Sequence, residues 1–399
     1  MTVLGRDSKI LIAGAGPSGL ALAQMLRKEG ISFEIFERDL SRSQGWSVGL
    51  DKCLDELEPL LPGDIAGFAT LSPNYAQGKL DSFSFMDGIT HQVLGQVGSK
   101  GLDGRDRMYF CPREKIRKLL TPHTNLQIGK HVTGYKDDAE GVTLLFKDGT
   151  SARGTMLVAA DGARSAVRRQ LLERSPLIQT EFIVINGVVR LTKEQWAPIL
   201  EHSTCGILLG TDKCKFYFLL IEYCDDDSGD AWFNWNISYR SSDYAKDNLW
   251  SSSASADELL QKGLSVIKDL PPFLIDSVAR TPLEGVQRPP IKLAETVLPN
   301  QLLPRGNVTL MGDAAHSMLP FRGMGANTAL IDASDLAKGI IEGIRNSSSV
   351  DSVLQAYERV MIPRGREHVL ASHAVGEAAV ASQLAGGRLE EVQNLAASG

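Results

Sequence analysis

The sequence predicts an α/β protein: a parallel strand–helix–strand core, an antiparallel sheet inserted into it, and a closing C-terminal helical segment. Three observations predict it. A βαβ unit with glycines at its turn occupies residues 9–37, strand-length apolar segments succeed one another over residues 182–239, and apolar residues recur at helical spacing over residues 329–340.

In the first element, Lys9 to Ala13 is an apolar run that enters Gly14-Ala15-Gly16-Pro17-Ser18-Gly19. Leu20, Ala21, Ala23, Met25 and Leu26 then repeat at helical spacing until Gly30, and Ser32 to Glu37 alternates as a second, parallel strand. The three glycines have separate jobs. Gly14 allows the tight turn, Gly16 lets the backbone approach a pyrophosphate, and Gly19 lets helix and strand pack closely. The helix tip brings unpaired N–H groups and partial positive charge to the same phosphates. Glu37, 18 residues beyond Gly19, is placed to accept hydrogen bonds from adenosine ribose hydroxyls. Strand, helix and terminal acid together make a Rossmann-like dinucleotide site. Glu37 argues against a 2′-phosphate while Arg38 keeps NADP formally open, so this segment leaves NAD and FAD undecided.

Further along, Asp81 to Gln92 reads as a hairpin turning at Asp87-Gly88, and Val142 to Phe146 and Met156 to Ala160 as strands flanking a turn at Asp148-Gly149. Phe182 to Val189, Cys205 to Leu209, Phe216 to Tyr223 and Ala231 to Tyr239 have strand lengths and predict the inserted sheet. Ser251 to Ala256 reads as a loop and Asp257 to Leu270 as a helix. Asn307 to Met311 is a strand entering a turn. Beyond it, Ala329, Leu330, Ala333, Leu336, Ala337 and Ile340 mark a helix that Asn327 or Thr328 can cap.

Composition narrows the class. At roughly 150 residues per domain, a chain of 399 residues predicts two or three structural units. With 43% hydrophobic and 23% charged residues it is globular in type. Its 42 Lys and Arg against 48 Asp and Glu, a net of −6, offer no field for nucleic acid or acidic membrane. Five cysteines without a CxxC and seven histidines without an HExxH indicate neither a disulfide framework nor a metal site, so a cytoplasmic, reducing location is expected. No membrane span is expected either, because glycines and Pro17 break the apolar stretch Ile10 to Leu26.

Two later segments separate FAD from NAD. Leu157-Val158-Ala159-Ala160-Asp161-Gly162-Ala163-Arg164-Ser165 runs a strand into an Asp-Gly turn and the basic helix start Ala166-Val167-Arg168-Arg169. Met311-Gly312-Asp313-Ala314-Ala315-His316 does the same before the loop Ser317 to Asn327. With the early glycines and Glu37, in this order, these segments resemble the class A flavin monooxygenases, the para-hydroxybenzoate hydroxylase-like family that includes tetracycline-inactivating and fungal secondary-metabolite enzymes. The resemblance spans nearly the whole chain, down to Tyr357-Glu358-Arg359 and Pro363-Arg364. The expected division is a discontinuous FAD-binding domain over 1–72, 104–174 and 281–345, a substrate-binding sheet domain over 73–103 and 175–280, and a C-terminal helical segment over 346–399.

The resemblance implies bound FAD, with NADPH or NADH as a transient co-substrate and O2 as oxidant. It implies oxygen transfer from a C4a-hydroperoxide, hydroxylating or epoxidising a hydrophobic aromatic or polycyclic molecule in natural-product metabolism. On chemical grounds, Asp313 can accept a hydrogen bond from a ribityl hydroxyl. The tip of the following helix can favour the anionic pyrimidine edge of reduced flavin by up to about 2 kcal/mol. In the family, the N–H groups matching Ala326 and Asn327 make that contact, and the loop from Pro320 through Gly323 to Gly325 flanks the isoalloxazine. Arg113 matches an arginine that opens a helix beside flavin and pyrophosphate, and Asp161 an aspartate serving the pyrophosphate and the nicotinamide donor. Arg42 and Asp51 lie where relatives touch FAD, although Arg42-Ser43-Gln44-Gly45 departs from the commoner pattern.

The inserted sheet is the expected pocket wall, because alternate residues of a strand face one side. Its candidates are Asn186, Arg190, Phe216 or Tyr217, and Trp235 or Ile237, with Phe321 supplied by the loop. Arg190 is the candidate catalytic residue, orienting substrate or oxygen donor, while Arg322 could bind NADPH or polarise a carbonyl and His316 is expected to be structural. Three other readings compete. A dehydrogenase leaves Asp313 and the Gly323 to Asn327 loop without a task, a halogenase requires a Trp-x-Trp-x-Ile-Pro segment that Trp232 to Ile237 does not match, and a non-catalytic flavin-containing binding protein would share most binding residues.

Overall fold

A computed structural model of the chain describes residues 2–40, 46–98, 108–172, 176–211 and 213–377. Five parallel strands form one sheet in the order Val308–Leu310, Met156–Ala159, Lys9–Ala13, Ser32–Glu37, Leu126–Ile128. The strands Met156–Ala159 and Lys9–Ala13 are almost wholly apolar, as both faces are covered. The helix Pro17–Lys28 leaves the central strand and packs on Met324–Arg345, which in turn packs on the long helix Val350–Glu377. Two glycines of the first turn are required by contact. Gly14 has φ +105°, and a Cβ there would strike the Ala160 carbonyl; one at Gly19 would strike the carbonyl of Gly14.

The second sheet has seven strands in the order Ile291–Thr296, Leu177–Leu191, Ala231–Arg240, Cys214–Tyr223, Gly206–Gly210, Ser82–Asp87, Val93–Gly98. All its pairings are antiparallel except Gly206–Gly210 with Ser82–Asp87. One face, carrying Ile185, Phe216, Phe218, Phe233, Trp235 and Ile237, packs with Leu259 and Leu274 of the helices Ala256–Val266 and Pro272–Ala279. The other face turns towards the parallel sheet.

Four local expectations need correction. The turn at Asp148-Gly149 joins Gly141–Phe146 to Ser151–Gly154, because Met156–Ala159 is taken by the parallel sheet. Ser251 to Ser253 end a helix, Tyr244–Ser253, that Asp243 caps by accepting from Lys246 N. The strand Ile291–Thr296 pairs with Leu177–Leu191, so this part of 281–345 belongs to the seven-stranded sheet. Finally, the helix expected from Asn327 or Thr328 starts at Met324, with Gly323 at φ +68° as its N-cap.

A buried ion network ties the C-terminal helix to this frame. Asp332 Oδ2 meets His316 Nε2 at 2.5 Å and accepts from Gly312 N at 3.0 Å, while Oδ1 accepts from Arg364 at 2.9 Å. Tyr357 Oη donates to Leu310 O at 3.1 Å, which gives the Tyr357-Glu358-Arg359 segment a packing task. Among the described residues, no helix is long and apolar enough to cross a membrane.

Candidate active site

A cavity of about 340 Å³ lies between the two sheets, within the usual range for small-molecule sites. Its walls differ in kind. One side is made by Gly16, Pro17, Ser18, Arg113 and Asp313 together with the stretch Gly323 to Asn327; the other is largely Phe83, Phe85, Phe110, Leu208, Tyr217 and Leu219.

The first wall is built from chain ends. The helices Pro17–Lys28 and Met324–Arg345 both begin at it, and neither has a side-chain cap. Their first-turn N–H groups therefore have no intrahelical acceptor and carry the positive end of each helix dipole. At Gly16 an added Cβ would meet only an Arg113 nitrogen, 4.0 Å away, so the glycine keeps the turn open to a ligand. Arg113 opens the helix Arg113–Leu120, and its N–H donates to Trp46 O at 2.8 Å. Burial pulls its guanidinium below the ordinary arginine value, and the nearby Asp313 and Glu37 carboxylates work the other way. Asp313 itself lines the cavity and is exposed there. Two bare helix tips, a half-sequestered arginine and an exposed carboxylate fit an extended group with an anionic middle and polar hydroxyls, as FAD has.

The other cofactor candidates divide. Pro320, Phe321, Gly323, Gly325, Ala326, Asn327 and Asp51 line the cavity. Asn327 spends its side chain on fastening the helix tip, donating to Gly49 O at 2.8 Å and accepting from Asp51 N at 3.2 Å. Gly14 and Gly19 shape the turn from beneath. Glu37 lies beside the turn, accepting from Ala15 N at 2.9 Å and Asp39 N at 3.0 Å, and Arg38 is exposed. Asp161 does not line the cavity as its neighbours Ala160 and Gly162 do. It accepts from Ala166 N at 2.8 Å and closes a turn, and burial raises its pKa. Arg42 lies outside the described residues.

The candidates for the pocket wall need more correction. Of Phe216 and Tyr217, Tyr217 faces the cavity. Trp235 and Ile237 both lie on the opposite face, where Trp235 Nε1 donates to Thr281 Oγ1 at 2.9 Å; the strand presents Asn236 and Ser238 to the cavity instead. Asn186 shares the face of Val184, which lines the cavity, but lies beyond its end and donates to Gln287 Oε1 at 2.9 Å. Arg190, two turns of the pleat further out, is exposed and bonded to Asp230 at 2.9 Å and Asp226 at 2.8 Å. It therefore has no contact with the site. Arg190→Ala is expected to leave flavin content and the ratio of product to NADPH consumed unchanged, with little loss of thermal stability; a drop in that ratio would return Arg190 to the site. His316 is fully buried in its network, and Arg322 lines the cavity with Nη1 at 3.4 Å from His368 Nδ1. Phe83, Phe85, Phe110, Trp46 and Met108 were not singled out from sequence, because they enter the wall from strands and loops that only the fold brings together.

The chain matches the FAD binding domain family over residues 86–372, and it belongs to that family. It is 33% identical to the FAD-dependent monooxygenase thnD of Trichoderma harzianum, over 90% of this chain and 91% of that one. It is 29% identical to the FAD-dependent monooxygenase phnB of Penicillium herquei, over 92% and 90%. Klebsiella pneumoniae HpxO, solved with FAD and uric acid, has the same fold, with a TM-score of 0.76 at 22% identity over 98% of this chain and 96% of that one. The protein is an FAD-dependent monooxygenase.

Proposed function

We propose that the cavity holds the isoalloxazine end of FAD against the Gly323 to Asn327 helix tip and a hydrophobic aromatic or polycyclic molecule against the seven-stranded sheet. The observation that carries this reading is the cavity's division into a wall of helix tips and charges and a wall of aromatic and aliphatic side chains. Bound FAD supplies the redox chemistry, taking a hydride from NADPH or NADH and using O2, so that one oxygen atom enters the substrate and the other leaves as water.

The residues of the chain then bind, orient and exclude. Gly16 and the tip of Pro17–Lys28 receive the pyrophosphate with Arg113, and Asp313 accepts from the ribityl chain. The N–H groups of Ala326 and Asn327 meet the pyrimidine edge. Phe83, Phe85, Phe110, Leu208 and Leu219 hold the substrate ring and keep out water that would divert reducing power. The natural setting is natural-product metabolism. The five cysteines are all free thiols, which supports a reducing, cytoplasmic location.

The test uses purified yellow protein, NADPH or NADH, isotopically labelled O2 and a panel of polycyclic phenols. At least one compound is expected to accelerate nicotinamide oxidation and to return with one labelled oxygen atom. Yellow protein that no aromatic stimulates, or a product that is oxidised without gaining label, counts against the reading.

A further inference from the structure

The strand Ala231–Arg240 is oriented against first expectation. Its apolar side chains Phe233, Trp235 and Ile237 pack on helices, while Asn236 and Ser238 line the cavity and Asn234 continues the same face. An amide in a wall built mainly of Phe83, Phe85, Leu208 and Leu219 is costly unless something there uses it.

Their orientation follows from one fixed point. The carbonyl of Gly187 can only accept, so Asn234 presents Nδ2 to it, at 3.1 Å. The Oδ1 of Asn234 must then face its neighbour, and it accepts from Asn236 Nδ2 at 2.5 Å. That leaves Asn236 Oδ1 turned the other way, buried and without a hydrogen-bond partner among the described residues. Directly opposite in the strand register stands Tyr217, whose Oη is also buried without a partner. Water reaches neither oxygen. A ligand pressed into this wall can supply the compensating group once a small side-chain adjustment opens the two oxygens, which present almost no surface to the cavity as they stand.

We propose that Asn236 is a specificity-determining residue whose side-chain carbonyl accepts a hydrogen bond from a neutral donor, a ring hydroxyl, on the substrate, with Tyr217 Oη as the second partner of that hydroxyl and Asn234 as the positioning residue. The inference rests on the reading of this cavity as the substrate chamber. The donor is neutral because no charged side chain stands among the sheet residues that line it. Lys215, two residues before Tyr217 on the same face, is spent on Gly376 O at 2.7 Å and on the Phe321 ring.

The experiment is calorimetric titration of the holoenzyme, without nicotinamide, with 1-naphthol and with its methyl ether, in which a methyl group replaces the donor hydrogen, and the Asn236→Leu variant separates loss of the donor from the added methyl. The enzyme should bind the naphthol at least about tenfold more tightly, since the ether leaves a buried acceptor unsatisfied. Asn236→Leu should abolish the preference and Tyr217→Phe should reduce it. Asn234→Val should shrink it by freeing the Asn236 amide to turn its NH2 towards the ether oxygen, a change that a merely structural role for Asn234 would not produce. Equal affinities in the native enzyme, binding of neither compound, or an unchanged preference in the variants that fold overturns the proposal. If affinities are equal yet naphthol still accelerates NADPH oxidation, only the role of Asn236 falls. A donor preference without any stimulated oxidation would count against the monooxygenase reading of the cavity while upholding Asn236.

Discussion

Gly14→Ala is expected to yield little soluble protein and none carrying flavin. The added Cβ would fall on the Ala160 carbonyl oxygen, with the carbonyl carbon at 2.6 Å and Asp161 N at 2.9 Å, all backbone atoms. These atoms cannot swing aside, because Ala160 N donates to Ala13 O at 2.7 Å and the strand behind it is the neighbour of Lys9–Ala13 in the parallel sheet. The φ of +105° adds strain for any residue with a side chain, about 1–3 kcal/mol, and overpacking costs a further 1–3 kcal/mol or so. Together these consume a large share of a typical stability of about 5–15 kcal/mol. Gly16→Ala separates folding from binding. Its Cβ finds open space apart from Arg113 at 4.0 Å, so the protein should fold and melt normally yet hold flavin weakly. Gly63→Ala, with nothing within 4 Å, is the control. Melting temperature and the ratio of flavin to protein absorbance read all three variants; a Gly14→Ala protein as stable and as yellow as the control would refute the packing argument.

The contrast between this turn and the pocket wall shows what a sequence can carry. Gly14, Gly16, Gly19 and Glu37 sit within one βαβ unit, where spacing along the chain is spacing in space, so their placement was legible. The wall depends on register between strands far apart in sequence. Alternation offers Trp235 or Ile237 for the wall, but Tyr217 pairs with Asn236, and that single step of register sends every odd-numbered neighbour to the helices. In the run Trp232-Phe233-Asn234-Trp235-Asn236-Ile237-Ser238, alternation was visible; which face met a cavity was not. Arg190 shows a second limit: it has the parity of Val184 yet lies past the cavity's end, where Asp226 and Asp230 hold it in solvent. The helix start was missed because Asn327 has an N-cap's side chain but uses it on Gly49 and Asp51, partners 278 and 276 residues distant. Gly323, with its positive φ, was the local signal for the true start.

Asp332→Leu is expected to cost the fold about 3–5 kcal/mol, the usual penalty for removing one partner from a buried ion pair. Asp332 is fully buried, and its loss strips His316 of its anion and takes from Arg364 one of two carboxylates, the other being Asp335 at 2.8 Å. The same network sets a pH dependence. Burial works against charge on His316, but the Asp332 carboxylate more than offsets it and raises the imidazole above its ordinary 6.5. Burial likewise opposes charge on Asp332, and His316 with Arg364 nevertheless holds it below 3.8. The folded state therefore binds the imidazole proton more tightly than the unfolded chain does, and that contribution is complete below pH 6.5 and fades as pH rises through the elevated value. The Asp332 contribution is present above pH 3.8 and disappears as pH falls through the depressed value. Stability from this pair is greatest between those limits, so the native protein should lose melting temperature as pH rises from 6.5 through the elevated His316 value. His316→Gln should melt lower at the acidic end of that interval and change less across it. Parallel curves for the two proteins would mean that the proton on His316 contributes nothing, and that Asp332 acts through Arg364 and the Gly312 N–H alone.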